Sequence, residues 1–350
     1  MLRNNKYILP ALWVLLLLSL FVAIVFGAVP ISWTDMGNAI RHALNGAPPE
    51  NIHQGVFIQL RLPRVLLCGI TGAVLAVSGV LMQGLFRNPL VEPGLTGTSA
   101  GAAFGASLIF VISAGFSPSL KSITGPFLVP LFAFTGGLLT TFLVYLLAGN
   151  AKRVSVLSLL LTGIAVNALA MSGTGFMSYI ARDPQARSIT FWNMGSFAGA
   201  SWFQVAITGT VALVIFSMAF RYAKSLNALL LGEDQAGLLG VDVRKLKRTL
   251  LILNTAMVAT ATAFTGVISF MGLIVPHLLR LLIGSDNKKL LPASMLLGAI
   301  LLLWADTMAR RLLAPAEIPI GIITSLAGAP VFILLLKRFT RGEQKGGFNA

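Results

Sequence analysis

Long apolar runs, separated by short polar segments, dominate this chain. A helix needs about 20 apolar residues to cross the hydrocarbon core of a bilayer, which is about 30 Å thick. Such runs predict ten membrane helices, at about residues 8–29, 65–85, 94–115, 127–147, 154–177, 203–220, 250–270, 273–283, 290–313 and 320–336. The first run exceeds the apolar stretch of a signal peptide, about 7–15 residues, so an uncleaved anchor helix is favoured. The eighth is too short to cross alone and begins near Pro276, which indicates a kinked half-span.

Composition supports an all-α polytopic membrane protein. Of the 350 residues, 56% are hydrophobic and 11% are charged, whereas soluble domains carry about 25% charged residues. The net charge of +15 arises because acids are scarce, and a nucleic-acid-binding domain would be denser in charge. Residues 1–350 are predicted to form a single transmembrane domain. The one cysteine, Cys68, excludes a disulfide within the chain.

The distribution of Lys and Arg among the loops predicts the orientation of the helices. With the N-terminus in the cytoplasm, 18 of the 26 Lys and Arg fall on the cytoplasmic side and 8 on the outer side. Cytoplasmic loops of membrane proteins carry the excess of these residues. The sequence therefore predicts that both termini are cytoplasmic.

Small residues recur at helical spacing in several runs. Gly97, Gly101 and Gly105 form a ridge with one glycine every four residues, and Gly72 and Gly79 belong to a similar face on the second run. In lipid, such faces let helix backbones approach closely. Tight packing of the bundle is the favoured interpretation, and the lining of a path for a large solute is the alternative.

No catalytic or metal-binding constellation is recognisable in the sequence. The histidines His42, His53 and His277 are dispersed, and no phosphate-binding glycine loop or nucleophile elbow occurs. Asp306 is predicted to pair with Arg310 one turn further along its helix. The scarcity of carboxylates in the runs argues against a membrane-embedded enzyme, a secondary transporter with a carboxylate relay and a channel with charged rings.

Two sets of charged residues are candidates for contacts with partner proteins. The segment at about 224–248 predicts two short amphipathic helices with a glycine-marked break, and Glu233 and Asp234 fit the first turn of the second. It is interpreted either as a docking element or as a loop lying on lipid headgroups. On the outer side, arginines flank two of the runs, at Arg61, Arg64, Arg310 and Arg311. They either snorkel to the interface or bind carboxylates of a soluble partner.

Several motifs in this order resemble the permease subunits of ABC importers for ferric siderophores, haem and vitamin B12. The resemblance covers about residues 59–337. The motifs are Arg61-Leu-Pro-Arg64, Arg87-Asn-Pro-Leu90, Glu92-Pro-Gly94, Leu231-Gly-Glu-Asp-Gln-Ala236, Gly272-Leu-Ile-Val-Pro-His-Leu-Leu-Arg280, Ile318-Pro-Ile-Gly321 and Gly328-Ala-Pro-Val-Phe332.

The resemblance implies a fold like that of the vitamin B12 importer permease, with ten helices per subunit and inverted half-repeats. It implies a homodimer with a path at the dimer interface, two ATP-binding cassette subunits on the cytoplasmic side, and a periplasmic or surface-anchored substrate-binding protein. It implies no cofactor in this chain, with ATP and Mg²⁺ held by the ATPase partners.

The resemblance also assigns roles to residues of this sequence. Docking of the binding protein is expected at Arg61, Arg64 and Arg310. Coupling to the ATPase is expected at Leu229, Leu230, Gly232, Glu233, Asp234, Gln235, Ala236 and Gly240. The path is expected to be lined by Leu160, Gly163, Asn167, Met171, Ser172, Ile323, Ser325 and Leu326.

The predicted function is that of an inner-membrane permease that moves an iron chelate, either a ferric siderophore or haem, from periplasm to cytoplasm. A cobalamin permease is the first alternative. A secondary transporter that works without an ATPase is the second.

Overall fold

The computed structural model describes residues 7–27, 29–116, 118–149 and 156–346, and this part of the chain is helical with no strand. The residues Arg3, Lys6, Lys152 and Arg153, which contribute to the predicted orientation, lie outside the described residues. The helices are α1 (Ile8–Val25), α2 (Trp33–Leu44), α3 (Ile52–Gly55), α4 (Leu62–Phe86), α5 (Thr98–Ile112), α6 (Pro118–Leu147), α7 (Val156–Ile180), α8 (Gln185–Asn193), α9 (Trp202–Arg221), α10 (Ala223–Leu230), α11 (Glu233–Leu238), α12 (Val243–Thr265), α13 (Met271–Ile283), α14 (Asn287–Arg311) and α15 (Ile320–Gly346).

Each of the ten predicted membrane helices corresponds to a helix in the structure. Within the described residues, seven helical stretches are long and apolar enough to cross a bilayer, and α13 and the first part of α15 are shorter apolar helices. The remaining one, α12, begins with the basic residues Arg244, Lys245, Lys247 and Arg248, which lower its hydropathy. The predicted half-span is α13, which has 13 residues and contains Pro276.

The second membrane helix begins earlier than its apolar pattern predicts. Helical structure runs without a break from Ile52 to Phe86, and residues Val56–Arg61 form a π-helical segment within it. Pro63 lies two residues after this segment, and its ring and missing N–H are incompatible with an ordinary α-helical hydrogen bond to the preceding turn. Arg61 and Arg64 therefore lie inside a continuous helix and do not flank its mouth.

Helix α4 forms the centre of the bundle. It packs against α14, α12, α13 and α9, and all but a few of its side chains are buried. Two glycines permit the closest crossings: a Cβ at Gly72 would collide with the carbonyl of Gly298, and one at Gly79 with the carbonyl of Gly272. The predicted packing role of this small-residue face is confirmed.

The glycine ridge of α5 packs against α6 in the same manner. A Cβ at Gly101 would meet the side chain of Thr140 and the carbonyl of Gly136, and one at Gly105 would meet the carbonyl of Phe132. Packing is thus the role of Gly101 and Gly105.

Replacement of Gly79 by Ala is expected to destabilise the folded protein by about 1–3 kcal/mol, because the added methyl group collides with backbone that cannot rotate away. Thermal unfolding in detergent or nanodiscs measures this. The matched control is Gly37→Ala in α2, where an added Cβ meets nothing within 4 Å. Equal stability of the two variants would contradict the packing role of Gly79.

Candidate transport pathway and docking sites

Two adjoining cavities lie where α5, α7, α8 and α15 meet the extended residues after α12. Their volumes are about 510 Å³ and 620 Å³. They share Asn193, Val267 and Ser269, so their walls are continuous. We call them the pathway cavities. Glu92 is the one ionisable residue among the described residues that line them.

The structure places four of the predicted path residues at these cavities. Asn167 and Met171 line the smaller cavity, and Ser325 and Leu326 line the larger one. The amide of Asn167 donates to the carbonyls of Gly94 and Leu95, each at 3.4 Å. The amide is therefore held by the loop before α5.

The other four predicted path residues lie elsewhere. Gly163 is buried, and a Cβ there would collide with the carbonyl of Leu95. Leu160 and Ile323 pack against the hydrophobic core. Ser172 is exposed, and its hydroxyl donates to the carbonyl of Ala168 at 2.9 Å. Leu160, Gly163, Asn167 and Met171 recur at helical spacing on one face of α7. Their different surroundings depend on which elements pack beside each turn of the helix.

The carboxyl group of Glu92 was missed by sequence reasoning as a feature of the pathway. It accepts a hydrogen bond of 3.1 Å from the backbone N–H of Phe270. Phe270 has φ 69° and precedes α13 directly, so the carboxyl group lies at a helix N-terminus, which favours negative charge. Burial raises the pKa of Glu92, and the bond from Phe270 opposes that shift. Glu92 lies between two apolar runs, and an acid in such a position is interpreted from sequence as part of an exposed loop.

On the predicted outer side, Arg64 and Arg310 form one ionic network with the acids Asp306 and Glu317. We call these four residues, together with the nearby Arg61, the arginine cluster. The Asp306 carboxylate is 2% exposed. It lies 2.8 Å from Nη2 of Arg64 and 3.0 Å from Nε of Arg310. The predicted pair of Asp306 and Arg310 is confirmed.

The contact of Asp306 with Arg64 was not predicted. It joins α14 to α4 across 242 positions of the chain, and spacing along a single helix contains no information about such a pair. A second acid, Glu317, lies in the connection between α14 and α15 and accepts from Nη1 of Arg64 at 2.8 and 2.9 Å.

Arg61 occupies a different environment from Arg64. It is 5% exposed, and its guanidinium donates to the carbonyls of Ile24 at 3.1 Å, Val25 at 3.4 Å and Val29. It thus satisfies backbone carbonyls at the C-terminal end of α1. Arg311 is exposed and lies over the ring of Phe26, 5.3 Å from its centroid.

The 224–248 segment folds as its sequence pattern predicts. Helices α10 and α11 are separated by Gly232, whose φ of 122° is accessible to glycine at little cost. Glu233 and Asp234 occupy the first turn of α11, and Glu233 pairs with Lys247 of α12 at 2.7 Å.

The apolar residues of this segment fall into two sets. Leu229 and Ala236, predicted to take part in coupling, are buried within the protomer. Leu231, Leu238 and Leu239 are 61%, 89% and 64% exposed. We call these three the exposed leucine face. The buried and exposed residues lie within a few positions of one another in the sequence. The sequence pattern therefore located the segment but did not show which of its side chains face away from the protomer.

Asn227 fastens this segment to α14. Its amide donates to Asp286 at 2.7 Å, and its carbonyl oxygen accepts from the backbone and side chain of Asn287, each at 2.8 Å. The bond from Asn227 is the largest of several effects that lower the pKa of Asp286. These hydrogen bonds join α10 directly to the first residues of α14.

Comparison with known proteins identifies the family of this architecture. The FecCD transport family matches residues 15–338. The chain belongs to the FecCD transport family. It is accordingly a permease of an ABC importer and a multi-pass membrane protein.

Individual relatives cover most of the chain. The hemin transport system permease protein HmuU of Yersinia pestis is 44% identical over 83% of this chain and 85% of its own length. The cobalamin import system permease protein BtuC of Halobacterium salinarum is 38% identical over 90% of this chain and 82% of its own. A solved structure of an inward-facing, metal-chelate type ABC transporter superposes with a TM-score of 0.79 at 35% identity, covering 95% of this chain and 100% of that one.

Proposed function

We propose that this FecCD-family permease moves an iron chelate, haem or a ferric siderophore, across a bacterial inner membrane into the cytoplasm, with both termini cytoplasmic. The observation that carries the proposal is the 44% identity to a permease named for hemin transport, over 83% of the chain. A cobalamin permease is the second candidate, because the haloarchaeal relative is 38% identical over 90% of the chain.

The pathway cavities support the proposed passage of a large solute that is not bound tightly on its way. Their polar side chains carry amides, hydroxyls and one carboxyl group: Asn167, Asn193, Ser99, Thr174, Ser269, Ser325 and Glu92. Such groups solvate a passing chelate through hydrogen bonds, and a permeant must leave a site as readily as it enters.

A second copy of the chain is proposed to complete the path. Met171 and Leu326 border the pathway cavities and are 67% and 74% exposed. Exposed apolar side chains beside an open cavity are suited to contact with a facing protomer. The homodimer would enclose the cavities that one protomer leaves open.

Two ATP-binding cassette subunits are proposed to bind the 224–248 segment, with ATP and Mg²⁺ held in those subunits. The exposed leucine face supports this, since apolar side chains on a charged segment are typical of the centre of an interface. ATP binding can drive transport only if it favours one conformation of the dimer over the other.

A substrate-binding protein is proposed to dock at the arginine cluster, which holds three guanidiniums and two carboxylates, so that positive charge is in excess. Arg64 and the neighbouring Arg311 are the arginines most suited to contact with the partner. Arg61 and Arg310 are more deeply buried and would contribute chiefly to the local positive potential.

The substrate is tested with the assembled transporter in nanodiscs and its substrate-binding protein. Haem, a ferric hydroxamate siderophore and cobalamin are compared for their ability to raise ATP hydrolysis when bound to that protein. We expect stimulation by haem or by the siderophore. Stimulation by cobalamin alone would refute the iron-chelate proposal and support the second candidate.

A further inference from the structure

Each of the three guanidinium nitrogens of Arg64 donates to a carboxylate of its own protomer. Nε lies 3.1 and 3.3 Å from the two oxygens of Asp306, and Nη2 lies 2.8 Å from one of them. Nη1 is occupied by both oxygens of Glu317, at 2.8 and 2.9 Å. A carboxylate from another protein can therefore make a bidentate contact with Arg64 only if one of these two acids leaves.

The two acids differ in how firmly they are held. Asp306 is 2% exposed, lies on α14 and is shared with Arg310 at 3.0 Å. Its departure would leave the buried guanidinium of Arg310 without a counter-ion, which is costly. The side chain of Glu317 is 34% exposed and pairs with Arg64 alone in the described structure. Exposed ion pairs are weak and exchange readily with other charged groups.

The connection that contains Glu317 lies at the surface. Residues 312–317 are exposed, and the connection is fixed to α14 through the N–H of Ile318, which donates to Ala309 at 3.1 Å. Glu317 can therefore turn away while the backbone around Ile318 stays in place.

We propose that Glu317 occupies, in the free permease, the position on Arg64 that a carboxylate of the binding protein takes on docking. The inference rests on the proposed docking at the arginine cluster. Glu317 keeps the Arg64 guanidinium oriented and neutralised until the acidic partner arrives, and it weakens docking by the free energy of its own contact. The same group thus sets how tightly the binding protein is held.

Two variants of Glu317 distinguish the replacement of Glu317 on Arg64 by a partner carboxylate from a general effect of charge. Glu317→Gln removes the negative charge and weakens the contact. Glu317→Asp keeps the charge but is one methylene shorter, so its carboxylate no longer reaches Nη1. Both variants are expected to bind the partner about two- to fivefold more tightly, because each loses the partly exposed ion pair with Arg64 that competes with docking.

The measurement is the Kd of the binding protein for the assembled transporter in nanodiscs, using the substrate-binding protein of the same organism that the transporter retains on an affinity column. Tighter binding by both variants supports the exchange. Tighter binding by Glu317→Gln alone would show a bulk charge effect and overturn the proposal, as would unchanged binding by both. Failure of the unaltered transporter to retain any binding protein would instead refute the proposed docking itself.

Discussion

Replacement of Asp306 by Asn is expected to lower the stability of the folded permease by about 3–5 kcal/mol, because it removes one partner from a buried ionic network. Arg64 and Arg310 would both lose their shared counter-ion, and the side chain of Arg310 is only 5% exposed. Thermal unfolding in nanodiscs, followed by tryptophan fluorescence or circular dichroism, measures the loss.

The matched control for Asp306 is Glu317→Gln, which removes an acid from the same arginine at an exposed position. Its effect on unfolding is expected to be small, about 0–1 kcal/mol. Similar unfolding temperatures for the two variants would contradict the division of the cluster into a fixed acid and an exchangeable one.

Replacement of both Leu231 and Leu238 by Asp is expected to weaken binding of the ATPase subunit by about 30-fold or more, the effect of losing a well-packed anchor of about 2 kcal/mol. The two side chains are 61% and 89% exposed, so the substitution leaves the protomer's own core intact. Affinity is measured by titration of the detergent-solubilised permease with the purified ATPase subunit.

The control for this pair is Leu44→Asp in α2, a leucine that is 82% exposed on the predicted outer side. It is expected to leave ATPase binding unchanged. If the double variant bound the ATPase as well as the unaltered permease, the exposed leucine face would not be the docking surface.

Much of the fold was predictable from the sequence because bilayer thickness imposes a length on every apolar run. The runs located each membrane helix, and the short eighth run corresponds to α13, an apolar helix of 13 residues. The start of α4 was not predictable in this way. Arg61 and Arg64 interrupt its apolar pattern, yet the helix continues through them because carbonyls of α1 and carboxylates of α14 and its connection satisfy their guanidiniums.

The sequence identified individual residues of the candidate sites, but it did not predict the contacts between residues on different helices. The pairing of Asp306 with Arg310 follows from helical spacing, whereas its pairing with Arg64 depends on the close crossing of α4 and α14. Helical pattern located α10 and α11, but the outward direction of Leu238 depends on how α11 packs against α10 and α12. Glu92 lines the smaller cavity, where Phe270, distant in sequence, donates to it.

The most direct test of the account is uptake of haem into proteoliposomes that contain the permease and its ATPase subunits, with the binding protein outside. The account predicts uptake that requires ATP, the binding protein and both kinds of subunit. Accumulation that persists without the ATPase would contradict the account. Uptake of cobalamin by the same assembly, with no uptake of any iron chelate, would also contradict it.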